Sequence, residues 1–170
     1  MTEHDALGSE GLEAADAPAE PRVVQFETES GGTGYAMDVD NDGVADIAAY
    51  DDDNDGTIDR ITVDTDHDGY HETELRDLDG DGRMDAVFID TDHDGDKDVA
   101  ALDANGDGHF DRLVADTDND GNIDLDIRDR DFDGRADYVA RDENGDGKTD
   151  YVVTDSNRDG KFDTVKYEEA

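Results

Sequence analysis

The sequence has no cysteine, two prolines, few bases and no long apolar run. Each shortage removes a class of protein. Without cysteine there is no disulfide frame and no thiolate site for zinc or an iron–sulfur cluster. The 14 lysines and arginines are set among 52 aspartates and glutamates and never stand clear of them, so no basic groove is available for nucleic acid or an anionic membrane surface. No segment approaches the ~18 consecutive apolar residues of a membrane-inserted helix. The opening stretch MTEHDALGSEGLEAADAPAEPR lacks the basic start and apolar stretch of a Sec-type signal. There is no Ser–His–Asp order, nucleophile elbow or phosphate loop, and carboxylate pairs are too numerous for any one to point to acid–base catalysis. An enzyme is not expected.

What is present is acid in register. With 33% apolar and 39% charged residues and a formal charge of -38, the chain repels itself and has poor material for a conventional core unless a cation neutralises it. From Asp38 to Tyr167 it divides into ten units of thirteen residues with no insertion or deletion, the mark of a repeat architecture. Position 1 is always Asp, position 5 always Asp and position 6 always Gly; position 3 is Asp or Asn, and position 9 is Asp or, once, Glu. The candidate metal ligands are therefore Asp38, Asp40, Asp42 and Asp46 in unit one; Asp51, Asp53, Asp55 and Asp59 in unit two; Asp64, Asp66, Asp68 and Glu72 in unit three; Asp77, Asp79, Asp81 and Asp85 in unit four; Asp90, Asp92, Asp94 and Asp98 in unit five. They continue with Asp103, Asn105, Asp107 and Asp111; Asp116, Asp118, Asp120 and Asp124; Asp129, Asp131, Asp133 and Asp137; Asp142, Asn144, Asp146 and Asp150; and Asp155, Asn157, Asp159 and Asp163 in units six to ten. Of the 52 acids, 37 occupy these places, which a low-complexity polyanion would not achieve.

Oxygen ligands at alternate positions 1, 3 and 5, a backbone carbonyl at 7 and a carboxylate at 9 can wrap one hard cation, and glycine at 6 permits the sharp turn. Calcium accepts about six to eight oxygens in adjustable geometry, whereas magnesium demands a tight octahedron and keeps its waters. The loops therefore predict about ten bound Ca2+ ions. Asn at position 3 also offers an oxygen but lowers the local charge, so its site should be weaker.

The pattern DxDxDGxxD resembles the calcium loops of thrombospondin type 3 repeats, and DANGDGHFD and DENGDGKTD resemble the loops of FG-GAP or VCBS-type propeller proteins. The first half of each loop is also similar to an EF-hand loop. Only the loop chemistry transfers. An EF-hand wants Glu at loop position 12 and flanking helices, but only four residues separate these loops; thrombospondin type 3 repeats carry cysteines, and propeller blades need longer strands.

The four spacer residues, among them IAAY, RITV, AVFI and YVVT, are rich in β-branched and aromatic side chains and read as short strands. Odd units favour apolar residues at positions 10 and 12, even units at positions 8 and 11, giving a structural period of 26. The fold class is all-β. A calcium-stabilised β-solenoid or β-roll of five 26-residue rungs, similar to the β-roll of RTX repeats, is the preferred arrangement, because a lone sheet leaves faces or edges uncovered. An antiparallel meander with calcium-binding turns has the same period. Residues 1–22 read as a disordered acidic leader, 23–37 as a capping strand and linker, 38–167 as the repeats and 168–170 as a tail.

Other residues have plainer readings. His67 and His93 sit 26 residues apart at position 4, where Asn also occurs, and read as solvated loop residues before a transition-metal pair. Thr65, Thr91 and Thr117 at position 2 read as strand-edge residues before a surface-binding ladder. Arg60, Arg76, Arg112 and Arg128 read as surface counter-charges. The expected function is a noncatalytic calcium-binding repeat module that folds on filling its loops, structural or coupled to secretion, reaching the cell surface or exterior by a non-Sec route. A cytoplasmic high-capacity calcium buffer or sensor, and an acidic matrix protein that meets mineral, are the alternatives.

Overall fold

A computed structural model describes residues 22–168; the leader, except Arg22, lies outside them. Twelve strands follow one another in the chain: β1 Arg22–Glu27, β2 Thr33–Asp38, β3 Ile47–Asp51, β4 Arg60–Val63, β5 Thr73–Arg76, β6 Ala86–Ile89, β7 Val99–Leu102, β8 Arg112–Ala115, β9 Leu125–Arg128, β10 Tyr138–Arg141, β11 Tyr151–Thr154 and β12 Thr164–Tyr167. Within the repeats each strand is built on the spacer of one unit and the candidate loops join the strands, the first residues of loops one and two, Asp38 and Asp51, also ending β2 and β3. The stretch Thr33–Met37, whose glycine-rich approach reads as linker, instead pairs with β1 as the second strand of a hairpin.

All twelve strands form one open sheet in sequence order, and every neighbouring pair is antiparallel. The meander is thus the arrangement found, and the parallel rungs of a solenoid are not. The reason lies in the loops. In a solenoid of such rungs each loop has to carry the chain across to a second, facing sheet. Here each loop closes on itself, with the backbone N–H of position 2 donating to the carboxylate of position 9, as Val39 does to Asp46 at 2.5 Å. A pinned loop can only return the chain beside the strand it left.

The register explains the 26-residue alternation. Ile47 opposes Val63, Val63 opposes Thr73 and Thr73 opposes Ile89, so directly opposed residues always have numbers of the same parity. Opposed residues share a face, and thirteen is odd. One face is therefore reached from positions 10 and 12 in odd units and from 11 and 13 in even units. On it Tyr35, Ala49, Ile61, Leu75, Val87, Ala101, Leu113, Ile127, Val139, Val153 and Val165 form an unbroken apolar row. The position-8 residues Phe110 and Ala136 line a groove beside Ala101, Leu113 and Ile127.

The opposite face is mixed. Arg60 opposes Arg76, and Arg112 opposes Arg128, a like-charge juxtaposition that needs relief. Asp126 supplies it for the second pair, accepting from Arg112 Nη2 at 2.9 Å and from Arg128 Nη2 at 2.5 Å; the first pair is relieved by Arg60 lying 3.8 Å over the ring of Tyr50 and by Glu74 beside Arg76. These arginines do more than balance charge at the surface.

Burial is inverted relative to an ordinary domain. Among the described residues the buried apolar side chains are four alanines, Ala48, Ala86, Ala115 and Ala140, whereas fifteen carboxylates are buried. Every one of those acids stands at position 1 or 9. They sit where sheet becomes loop, because the backbone ladder runs past the strands to them: Asp59 N donates to Tyr50 O at 2.8 Å, and Asp64 N donates to Asp46 O at 2.8 Å.

Candidate metal-binding loops

The ten loops share one internal wiring. In each, the position-1 carboxylate accepts the N–H of the position-6 glycine at 2.7 to 3.1 Å. The position-5 carboxylate accepts from the position-7 N–H at 2.7 to 3.0 Å. The position-9 carboxylate accepts from the position-2 N–H at 2.5 to 3.3 Å. These bonds bend the chain until the acids converge. Carboxylate oxygens of Asp38, Asp40 and Asp42 lie within 4.8 Å of one another, as do those of Asp51, Asp53 and Asp59, and those of Asp64, Asp66 and Glu72. Ordinary acids placed this closely repel, and a divalent ion removes the repulsion.

Two residues per loop adopt the left-handed backbone. Position 6 is Gly throughout, with φ from +78° at Gly147 to +102° at Gly95, which explains why no side chain is found there. Position 4 is also left-handed in every loop, occupied by Gly in three and by Asn41, Asn54, His67, His93, Asn119, Phe132 and Arg158 in the others. Asn adopts this region readily, and an aromatic side chain does not. Phe132, with φ of 60° and 49% exposed, is therefore strained without compensating burial. Phe132→Asn is expected to stabilise the protein by about 1 kcal/mol, read as a rise in thermal midpoint; a fall would show that the ring holds something in place.

The electrostatics follow the wiring. Backbone donation from Val39, then the bond to His67, holds Asp46 below its ordinary value. The hydroxyls of Thr91 and Thr117 lead in doing the same for Asp98 and Asp124. For Asp64, Asp90, Asp103 and Asp129 burial is the largest influence and pushes upward, but the combined donors outweigh it and the carboxyls stay lowered. Asp118 is the exception. Burial first, then the crowding of Asp120, Asp124 and Asp116, raises it.

The three Asn loops differ in a way that charge counting only half anticipates. Asn105 Oδ1 accepts the Asp107 N–H at 2.8 Å, which turns its amide nitrogen toward Asp107 Oδ2 at 3.2 Å. Asn144 Nδ2 likewise donates to Asp150 Oδ1 at 3.0 Å, and Asn157 Nδ2 to Asp159 Oδ2 at 3.4 Å. A donor thus stands where other loops have an acceptor, and the amide must flip to become a ligand.

Neighbouring loops on one edge of the sheet are two units apart and touch. His67 Nδ1 meets Asp46 Oδ1 at 2.5 Å, and His93 Nδ1 lies 3.3 Å from Asp68 Oδ2. His67 and His93 therefore each address the acids of the preceding loop. The bond to Asp46 raises the His67 pKa. Asn119 Nδ2 donates to Asp92 at 2.7 Å and Arg158 pairs with Asp131 at 3.1 Å, so position 4 is the inter-loop position. Tyr70 reaches forward to donate to Asp90, and that bond pushes the phenol up to about 12.

The position-2 threonines belong to the loops. Thr91 Oγ1 donates to Asp98 at 2.5 Å, Thr117 Oγ1 to Asp124 at 2.7 Å, and Thr65 Oγ1 to Glu72. They are clasps for the position-9 carboxylate, not residues of the strand edge. The seven-residue spacing from hydroxyl to acid was the readable signal.

No known protein family matches the chain, and no curated protein or solved structure matches it significantly. The resemblance to known calcium loops rests on the nine-residue pattern alone.

Proposed function

We propose that this is a noncatalytic calcium-binding repeat protein, each loop taking one Ca2+ through its side-chain oxygens at positions 1, 3, 5 and 9, to a total of about ten, with the sheet forming as the loops fill. The observation that carries this reading is the fifteen buried carboxylates against four buried alanines. Burying charge without a counter-ion is costly, and thin apolar burial offers little to offset it. Ion binding and folding are then one event. Seven loops with Asp or Glu at all four places bind more tightly than the three carrying Asn105, Asn144 and Asn157. The module is structural or coupled to secretion, folding where calcium is millimolar outside the cell.

The test is a calcium titration of the chelator-stripped chain at physiological salt, followed by far-UV circular dichroism and calorimetry, with magnesium as control. The expected result is a cooperative coil-to-sheet transition at about 0.1 to 1 mM free calcium, approaching ten ions per chain and not reproduced by magnesium. A sheet that forms fully in chelator sinks the coupling of folding to ions. Saturation at micromolar calcium replaces the extracellular module with an intracellular buffer or sensor.

A further inference from the structure

Glu72 is the one glutamate among the ten position-9 residues. Its side chain is 6% exposed. Oε1 accepts from the backbone N–H of Thr65 at 2.8 Å and from the Thr65 hydroxyl, which uses both of its lone pairs. Oε2 is the only buried side-chain nitrogen or oxygen among the described residues with no hydrogen-bond partner. Glu72 belongs to the group in which its carboxylate lies within 4.8 Å of those of Asp64 and Asp66. The Thr65 clasp closes on one oxygen, as the Thr91 and Thr117 clasps do on Asp98 and Asp124, but at Glu72 the second oxygen is buried, out of reach of water.

A buried carboxyl oxygen with no donor is costly for a fold to hold. A cation at the loop centre is the partner the arrangement lacks. Because Oε2 is shielded from water, an ion that meets it must have shed water on that side, which calcium does readily and magnesium reluctantly. Loop three is also tied to its neighbours on both sides. His71 Nε2 contacts the Ala45 carbonyl at 2.7 Å, His67 meets Asp46, Tyr70 donates to Asp90, and Lys97 Nζ donates to the Glu72 carbonyl at 3.1 Å.

Building on the loop reading, we propose that loop three is the tightest and most calcium-selective of the ten sites, with Glu72 Oε2 as the ligand that sets it apart. Loop three fills first, and its ties place the ordered loop against loops one and five.

The experiment is calorimetric titration of the full chain with calcium in a large excess of magnesium, on the native protein and on Glu72→Asp, Glu72→Gln and Asp98→Asn. The native chain should show one ion bound at least tenfold more tightly than the rest. Glu72→Asp should merge that ion with the others, and Glu72→Gln should lose the tight class while keeping the calcium-saturated circular dichroism spectrum. Asp98→Asn, in loop five, should retain it. An unchanged tight class in both Glu72 variants, or its loss in Asp98→Asn alone, overturns the assignment. A native chain that binds about ten ions without a tight class overturns this inference and leaves the loop reading standing; a chain that binds no calcium overturns both.

Discussion

Lowering the pH of the calcium-saturated protein is expected to expel the ions and melt the sheet in one transition, with its midpoint below the ordinary aspartate value of 3.8. Asp46, Asp64, Asp77, Asp90, Asp98, Asp103, Asp124, Asp129 and Asp163 are all lowered in the folded chain. A group whose folded value is depressed contributes stability that is present above its unfolded value and lost as pH falls through the folded one. The loss therefore begins near the unfolded value and completes below it. Asp118, being raised, has the opposite sign and takes up its proton first. Calcium competes with protons for the same oxygens, so more calcium should move the midpoint to lower pH. Circular dichroism against pH at two calcium concentrations reads both effects. A midpoint indifferent to calcium would show that the depressed carboxylates serve only the backbone.

The largest single-residue effect is expected at Asp90, which is 0% exposed. Its Oδ1 accepts the His93 N–H at 2.7 Å, while Oδ2 accepts the Gly95 N–H at 3.0 Å and the Tyr70 hydroxyl. Asp90→Ala leaves these donors without a partner at the base of loop five and removes a proposed position-1 ligand. The expected cost is about 3 to 5 kcal/mol from the stranded donors, with one fewer ion bound. Tyr70→Phe separates the two contributions, because it removes one donor and leaves the ligands intact. It should cost about 1 kcal/mol and preserve the ion count. Chemical denaturation and calcium stoichiometry, measured together, check both variants. Loss of an ion in Tyr70→Phe would mean that the inter-loop bond, not the ligand set, holds the site.

What the sequence disclosed about this chain divides along physical lines. The convergence of acids within one loop was legible, because Asp38, Asp40, Asp42 and Gly43 act on one another within a few residues. Strand positions were legible too, since spacers such as Ile47–Tyr50 and Arg60–Val63 have no other use for their β-branched residues. The direction of the neighbouring strand was not. Parallel rungs and antiparallel hairpins impose the same alternation on the apolar positions, and only the clasp between Thr91 and Asp98 or Val39 and Asp46, which shuts the loop, decides between them. Contacts between loops were hidden for another reason. His67 meets an acid 21 residues away, a spacing without meaning until the meander is known. The strand Thr33–Asp38 was obscured by its glycines; at Gly34 an added Cβ would lie 2.3 Å from the Phe26 ring, so the residue that looked like linker is the seat for a side chain across the hairpin.

The parity that assigns side chains to faces also governs how such a chain can change in length. Deleting a single thirteen-residue unit would reverse every strand downstream of the cut, and Leu113 or Val139 would then turn away from the apolar row into the company of the arginines. Deleting two adjacent units restores both direction and face, and each edge loses one loop from its file. Duplication obeys the same restriction. The protein is therefore extensible by gene duplication only in 26-residue steps, each bringing one further pair of candidate ion sites, one to each edge.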